Sequence, residues 1–151
     1  MKIRSDFVTN SSSSSFIIHF KNKSEYDKYY EEFASEYGRE YADYVFYGID
    51  SGRVTYMDAL KYYKKFLHWH IHYKLLYETS KYRGKPYDWR YSKEFEKIWA
   101  DAEKEELERF KAQTNHRGIF SVMDVADKDD AELEQVILPN QKFVFERISH
   151  H

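Results

Sequence analysis

The sequence of 151 residues contains no cysteine, two prolines, five glycines and no long apolar run. Without cysteine the chain forms neither disulfides nor thiolate metal sites, which fits a reducing, cytoplasmic environment. No apolar stretch approaches the roughly 20 residues that a bilayer-spanning helix needs, so we expect no membrane contact and no signal peptide. The scarcity of proline and glycine removes most helix breakers and favours long helices.

Signatures of catalysis and of cofactor binding are also missing. There is no dinucleotide fingerprint, no triphosphate-binding loop and no convincing nucleophile–base pair or carboxylate dyad. Among three clustered histidines, only His68 and His72 share a helix face, and Trp69 stands where a zinc hydrolase carries glutamate. With no third ligand in view, the sequence predicts no metal and no cofactor.

Aromatic residues are abundant, with 15 Tyr, 11 Phe and 3 Trp. Tyrosine combines a large contact area with a polar tip and little rotamer entropy, so this richness suits binding surfaces as well as cores. The length predicts a single domain, residues 1–151, that is large enough to bury its own core.

Capping patterns and helical spacing predict three main helices. Ser24–Asp27 and Thr55–Asp58 each resemble a capping box, the second of which opens the longest helix, at about residues 56–80. Ser92 is a candidate cap for a third helix over about 93–113. Between the first two helices we expect a short helix or loop at Tyr41–Tyr47 and a turn at Gly48–Gly52.

Apolar runs near both termini predict strands. The candidates are Phe16–Phe20, Ile119–Val125, Gln135–Leu138 and Gln141–Ile148, the last two forming a hairpin around Pro139–Asn140, with a turn at Asp127–Asp130. We therefore predict an α+β fold, in which a small, mainly antiparallel sheet of the N-terminal strand and C-terminal strands packs against the three helices.

An uninterrupted serine run, Ser11–Ser15, precedes the first predicted strand. It is either a structural loop or strand entry, or a loop whose hydroxyls and backbone N–H groups bind an anion. The second interpretation makes Ser11, Ser12 and Ser13 candidate ligand-binding residues, although the run lacks the glycines of a typical phosphate cradle. A recognition or processing signal is a further interpretation of this stretch.

The N-terminal string Lys2–Asn10, followed by Ser11–Ser15 and then Phe16-Ile17, carries the one resemblance to other proteins. It resembles an N-terminal signature found in proteins of Gram-positive bacteria, archaea and their phages. The resemblance covers under an eighth of the chain and implies a microbial or phage origin, without any particular reaction.

The net charge of −2 hides a basic middle segment between acidic ends. From Arg53 to Lys93 there are ten Lys or Arg residues against three acidic ones. Lys61, Lys65, His68 and His72 form a row along the longest helix and are candidate ligand- or anion-binding residues. The candidate partner-binding aromatics nearby are Tyr62, Phe66, Trp69, Tyr73, Tyr82 and Tyr87. The structural alternatives are a helix that crosses the centre of the domain, and a loop at Tyr82–Tyr91 that packs over the domain and has solvated lysines.

These observations lead to three functional hypotheses. The first is a non-enzymatic protein-binding module, encoded by a phage or mobile element as an accessory protein or as an inhibitor of a host system. Its partner is a host protein or another copy of the chain. The second is a nucleotide or nucleic-acid binding protein that uses the basic aromatic middle segment. The third is an enzyme acting on a phosphate-containing ligand, with His68 or His72 as acid or base.

Overall fold

The computed structural model describes residues 13–78, 85 and 87–149, and it confirms the α+β class. The chain groups into two compact units, and the single domain over residues 1–151 stays a prediction. The first unit comprises residues 1–59 and 114–151, and the second comprises residues 60–113. No helix among the described residues is long and apolar enough to span a bilayer.

The first unit is built on a four-stranded sheet in which all neighbouring strands are antiparallel. Its order is β2–β3–β1–β4, so the N-terminal strand lies between two C-terminal strands, as predicted. β1 pairs with β3 over its whole length, from Ser13 opposite Ala126 to Phe20 opposite Ile119. The strands are β1 (Ser13–Phe20), β2 (Arg53–Val54), β3 (Ile119–Ala126) and β4 (Val144–Ser149).

Two helices, α1 (Lys23–Tyr37) and α2 (Arg39–Ser51), follow β1. The cap of α1 is Asn22 rather than the predicted Ser24, because the Glu25 N–H donates to Asn22 Oδ1 at 2.8 Å. Gly38, with a φ of +94°, separates the two helices in the left-handed conformation that favours glycine.

The predicted turn at Gly48–Gly52 is wrong, because α2 continues to Ser51. Packing explains the glycine within the helix. A Cβ atom at Gly48 would lie 2.7 Å from the Met123 methyl group, so the absence of a side chain leaves room for the Met123 side chain against α2.

The core of the first unit lies between α1, α2 and one face of the sheet. β1 contributes every second side chain to this core, because successive side chains of a strand point to opposite faces of the sheet. These side chains are Phe16, Ile18 and Phe20. Phe46 and Phe143 lie 6.2 and 5.3 Å from the Phe20 ring, measured between ring centroids. The aromatic richness of the sequence thus serves the core as well as the surface.

Residues 127–140 form helical turns with a kink at Asp130, where the sequence analysis predicted a turn and a strand. They form α5 (Asp127–Glu132), a π-helical turn at Leu133–Ile137 and a 3₁₀ turn at Leu138–Asn140. Leu133 and Ile137 point into the core at helical spacing. A short apolar run does not by itself distinguish a strand from a buried helical turn, so the predicted hairpin at Pro139–Asn140 is also wrong.

The second unit is a helix pair. α3 (Tyr56–Tyr73) begins in the first unit and continues through a π-helical turn at Lys74–Glu78. A 3₁₀ turn at Tyr87–Tyr91 precedes α4 (Lys93–Gln113). Both predicted caps are confirmed, since the N–H of Asp58 donates to Thr55 Oγ1 and that of Phe95 to Ser92 Oγ, each at 3.1 Å.

Contacts between α3 and α4 show that the two helices are antiparallel. The buried Tyr63 hydroxyl near the start of α3 donates to Glu106 at 3.0 Å and accepts from Arg109 at 2.9 Å. At the other end, the ring of His72 lies 5.9 Å from that of Trp99. Aliphatic side chains of α3, among them Leu67 and Ile71, are buried.

Candidate functional site: an aromatic cleft in the helix pair

The structure places the predicted basic row on α3. Lys61, Lys65 and His68 are exposed, whereas His72 is half-buried. Of the serines, Ser13 is the half-buried first residue of β1. Ser11 and Ser12 lie outside the described residues, so the anion-loop hypothesis stays a prediction.

The predicted aromatics divide into two groups. Trp69 and Tyr73 lie one helical turn apart and are 73% and 57% exposed. Tyr62 and Phe66 are half-buried, and the ring of Phe66 stacks on His70 with centroids 4.7 Å apart. Tyr87 begins the 3₁₀ turn, and Tyr82 lies outside the described part of the chain.

A cleft of about 300 Å³ opens between α3, the 3₁₀ turn and the start of α4. Its position follows from the cap of α4, because the Ser92 hydroxyl also donates to the Trp89 carbonyl at 2.6 Å and joins the turn to the helix. The lining residues are His68, His72, Arg90, Tyr91, Ser92, Phe95, Glu96 and Trp99. This volume is at the lower end of the range for small-molecule pockets and also accommodates a large side chain.

Ring contacts hold the inner wall of the aromatic cleft together. His68 lies 5.1 Å from His72 and 6.0 Å from Trp99, and Phe95 lies 5.5 Å from His72. At the rim, the exposed indole of Trp69 meets His68 edge-on at 5.0 Å. The cleft and the exposed face of α3 are therefore parts of one aromatic surface.

Hydrogen bonding limits the chemistry that His72 can perform. Its Nδ1 lies 3.1 Å from the Trp99 indole nitrogen and 2.8 Å from the His68 carbonyl oxygen. One ring nitrogen cannot accept from the indole and donate to the carbonyl at the same time, but either contact occupies it. Nε2 is then the ring nitrogen left for a ligand.

Charges of both signs line the cleft, namely Arg90 and Glu96. His70 faces a separate cleft of about 200 Å³ with Glu105 and Glu106, so the three histidines do not converge. Within the described ranges, no three His, Asp or Glu side chains are placed to hold one metal ion.

Two serines of the serine run have structural partners. The Ser14 hydroxyl donates to Glu134 and the Ser15 hydroxyl to Asp124, each at 2.5 Å. These bonds join β1 to the π-helical turn at Leu133–Ile137 and to β3. Ser14 and Ser15 therefore belong to the start of the strand.

Sequence reasoning missed part of the cleft. Phe95 and Trp99, which line the cleft, were not among the predicted site residues. The i, i+4 spacing of Phe95 and Trp99 indicates that they share a helix face. The spacing does not predict the cleft that lies between this face and α3.

Comparisons of this chain with protein-family models, with curated proteins and with solved structures gave no match.

Proposed function

We propose that the chain is a non-enzymatic protein-binding module that docks a partner protein on the helix pair. The observation that carries the proposal is the exposure of three large aromatics around the aromatic cleft. Trp69, Tyr73 and Tyr91 are 73%, 57% and 73% exposed, and the first two continue the face that leads into the cleft. We call these three side chains and the cleft the docking surface.

Tryptophan and tyrosine are the residues that most often dominate the energy of protein interfaces. They bury a large area with few rotatable bonds, and their polar groups can hydrogen-bond to water in the unbound protein. A cleft beside exposed rings additionally offers a partner side chain a pocket to fill, which is the usual setting of an interface hot spot.

The charge pattern of α3 suggests the chemistry of the partner. Lys61, Lys65, Trp69 and Tyr73 follow one another at four-residue intervals, which places cations directly beside the rings. The complementary surface carries carboxylates next to apolar groups. We propose as the partner a surface of mixed charge, with carboxylates opposite these lysines, on a host protein or on another copy of the chain.

The same cations would attract nucleic-acid phosphates, but the cleft favours a protein. Glu96 lines it beside Arg90, and Glu94 accepts a hydrogen bond from the Trp89 indole at 3.1 Å. The Glu96 carboxylate in the cleft repels a polyanion, whereas a protein surface of mixed charge matches both Glu96 and Arg90.

The microbial or phage setting, the role as an accessory protein or inhibitor, and the cytoplasmic location form part of the same proposal. They rest on the N-terminal signature and on the absence of cysteine.

The test is site-specific photo-crosslinking in lysate of the native host. A benzophenone amino acid replaces Trp69 in one sample and Val136, an exposed apolar residue of the first unit, in the control. Each sample is divided into nuclease-treated and untreated halves. We expect a protein adduct at position 69 that persists after nuclease treatment and is absent at position 136.

The captured protein is then purified and titrated against four forms of the chain. Trp69→Ala and Tyr73→Ala should each weaken binding about tenfold or more, and Val136→Ala should leave it near that of the unmodified chain. Equal binding by all four forms would refute the proposal. An adduct that is lost after nuclease treatment would instead support the nucleic-acid binding hypothesis.

A further inference from the structure

A second surface, in the first unit, has the geometry of a strand-addition site. β3 has eight residues, but β2 pairs with only two of them, since Arg53 lies opposite Ser121 and Val54 opposite Phe120. The chain before β2 is the helix α2, which cannot extend the ladder. Within the described residues, the sheet therefore has no strand beside the second half of β3 on this side.

The direction of the β3 backbone groups follows from one hydrogen bond. The Val122 N–H donates to the Gly52 carbonyl at 3.0 Å, so Val122 points its backbone groups away from β1. Because strand residues alternate, the N–H and C=O of Asp124, two residues further, point to the same side. Asp124 is exposed there.

α2 runs beside this edge and completes a groove of about 360 Å³. Tyr44 and Tyr47, 55% and 75% exposed, form its outer wall, and Gly48 leaves room for the Met123 side chain. The lining residues are Tyr44, Tyr47, Gly48, Ser51, Gly52, Val122, Met123 and Asp124. We call this feature the strand-edge groove.

We infer that the strand-edge groove binds an extended, basic peptide segment of a partner protein, which adds as a short strand beside Asp124. Open strand edges recruit extended peptides through main-chain hydrogen bonds, and neighbouring pockets select the side chains. The tyrosines supply such contacts. The groove is separate from the docking surface on the helix pair, and neither proposal depends on the other.

Charge selects a basic segment over an acidic one. Asp124 is the single ionisable carboxylate among the lining residues. The adjoining helices reinforce it, since residues 23–51 carry eight acidic side chains against three basic ones. Lysine or arginine side chains of the added strand would therefore lie in a negative potential.

The test selects peptides from a random library displayed on phage and then measures where they bind. We expect enrichment of Lys- and Arg-containing peptides that bind the full chain. Hydrogen exchange of the Asp124 amide should slow about tenfold or more at saturating peptide, because that N–H becomes hydrogen-bonded. Alternate N–H groups of the added strand face β3, so N-methylation of this set of peptide positions should abolish binding. N-methylation of the other set should not.

Variants of exposed residues locate the site without disturbing the fold. Tyr47→Ala should weaken peptide binding about tenfold. Asp124→Asn, which keeps an acceptor for Ser15, should weaken it about threefold. Val136→Ala, an exposed residue of the same unit that does not line the groove, is the matched control and should leave peptide binding unchanged.

Three results would overturn the inference. The first is a selection that enriches no peptide. The second is enriched peptides that bind Tyr47→Ala and Asp124→Asn as tightly as the unmodified chain. The third is an Asp124 amide whose exchange is unchanged at saturation, since binding would then not involve the strand edge.

Discussion

Replacing Arg147 with methionine should destabilise the first unit more than replacing its partner Glu134 with glutamine. Arg147 Nη2 lies 3.0 Å from Glu134 Oε2, and Arg147 Nε donates to the Ser14 hydroxyl at 3.1 Å. The two partners differ in burial, because the Glu134 side chain is fully buried whereas that of Arg147 is 32% exposed. Glu134 Oε1 has no hydrogen-bond partner among the described residues.

The magnitude follows from what each substitution leaves behind. Without Arg147, a buried carboxylate retains Ser14 as its remaining strong donor, and breaking a buried pair in this way costs about 3 kcal/mol. Without the charge of Glu134, the partly exposed guanidinium can turn towards water, so the cost is about 1 kcal/mol. The double variant should be no less stable than Arg147→Met alone, because glutamine needs no counter-ion.

The pH dependence provides an independent check. Burial raises the pKa of Glu134, but hydrogen bonds from Ser14 and Arg147 outweigh it and hold the pKa below the ordinary 4.5. The stability that this group contributes is therefore present above pH 4.5 and is lost as the pH falls through the lower, folded-state pKa. In Arg147→Met burial dominates and raises that pKa, so this variant should regain stability relative to the unmodified chain as the pH falls from 7 towards 5.

Urea denaturation followed by circular dichroism, at pH 7 and pH 5, measures both effects. The prediction is refuted if Glu134→Gln is as destabilising as Arg147→Met, or if the stability that Arg147→Met loses relative to the unmodified chain is as large at pH 5 as at pH 7.

Two further predictions concern the stability of the first unit. Burial holds the pKa of His19 below the ordinary 6.5, so its folded form resists protonation and stability should decline as the pH falls below 6.5. His19→Gln keeps an acceptor for the Asn115 N–H and should remove the decline in stability below pH 6.5, as measured by urea titrations at several pH values. A decline that persists in this variant would show that another group causes it. Gly52→Ala would place a Cβ atom 2.2 Å from the Val122 carbonyl oxygen. Thermal denaturation should show a loss of about 2–3 kcal/mol, against under about 0.5 kcal/mol for the neighbouring control Ser51→Ala, and equal losses would contradict the clash.

Features that depend on nearby residues were determined by the sequence itself. The caps at Thr55 and Ser92 and the break at Gly38 satisfy or interrupt backbone hydrogen bonds within a few residues. The apolar run that ends at Phe20 and the run from Ile119 indicated strands near both ends of the chain, and these two strands pair in the sheet. The α+β class was predictable for this reason.

The candidate sites were decided by tertiary structure. The aromatic cleft exists because α3 and α4 are antiparallel and bring His72 to Trp99, residues that local spacing does not connect. The strand-edge groove exists because β2 is only two residues long and Gly48 leaves room for the Met123 side chain against α2. Likewise, residues 133–140 are helical because Leu133 and Ile137 fill the core at helical spacing, although their composition also suits a strand. The physical reason is the same in each case, because all three features depend on how segments distant in sequence pack together. These features are the cleft, the unpaired strand edge and the choice between helix and strand.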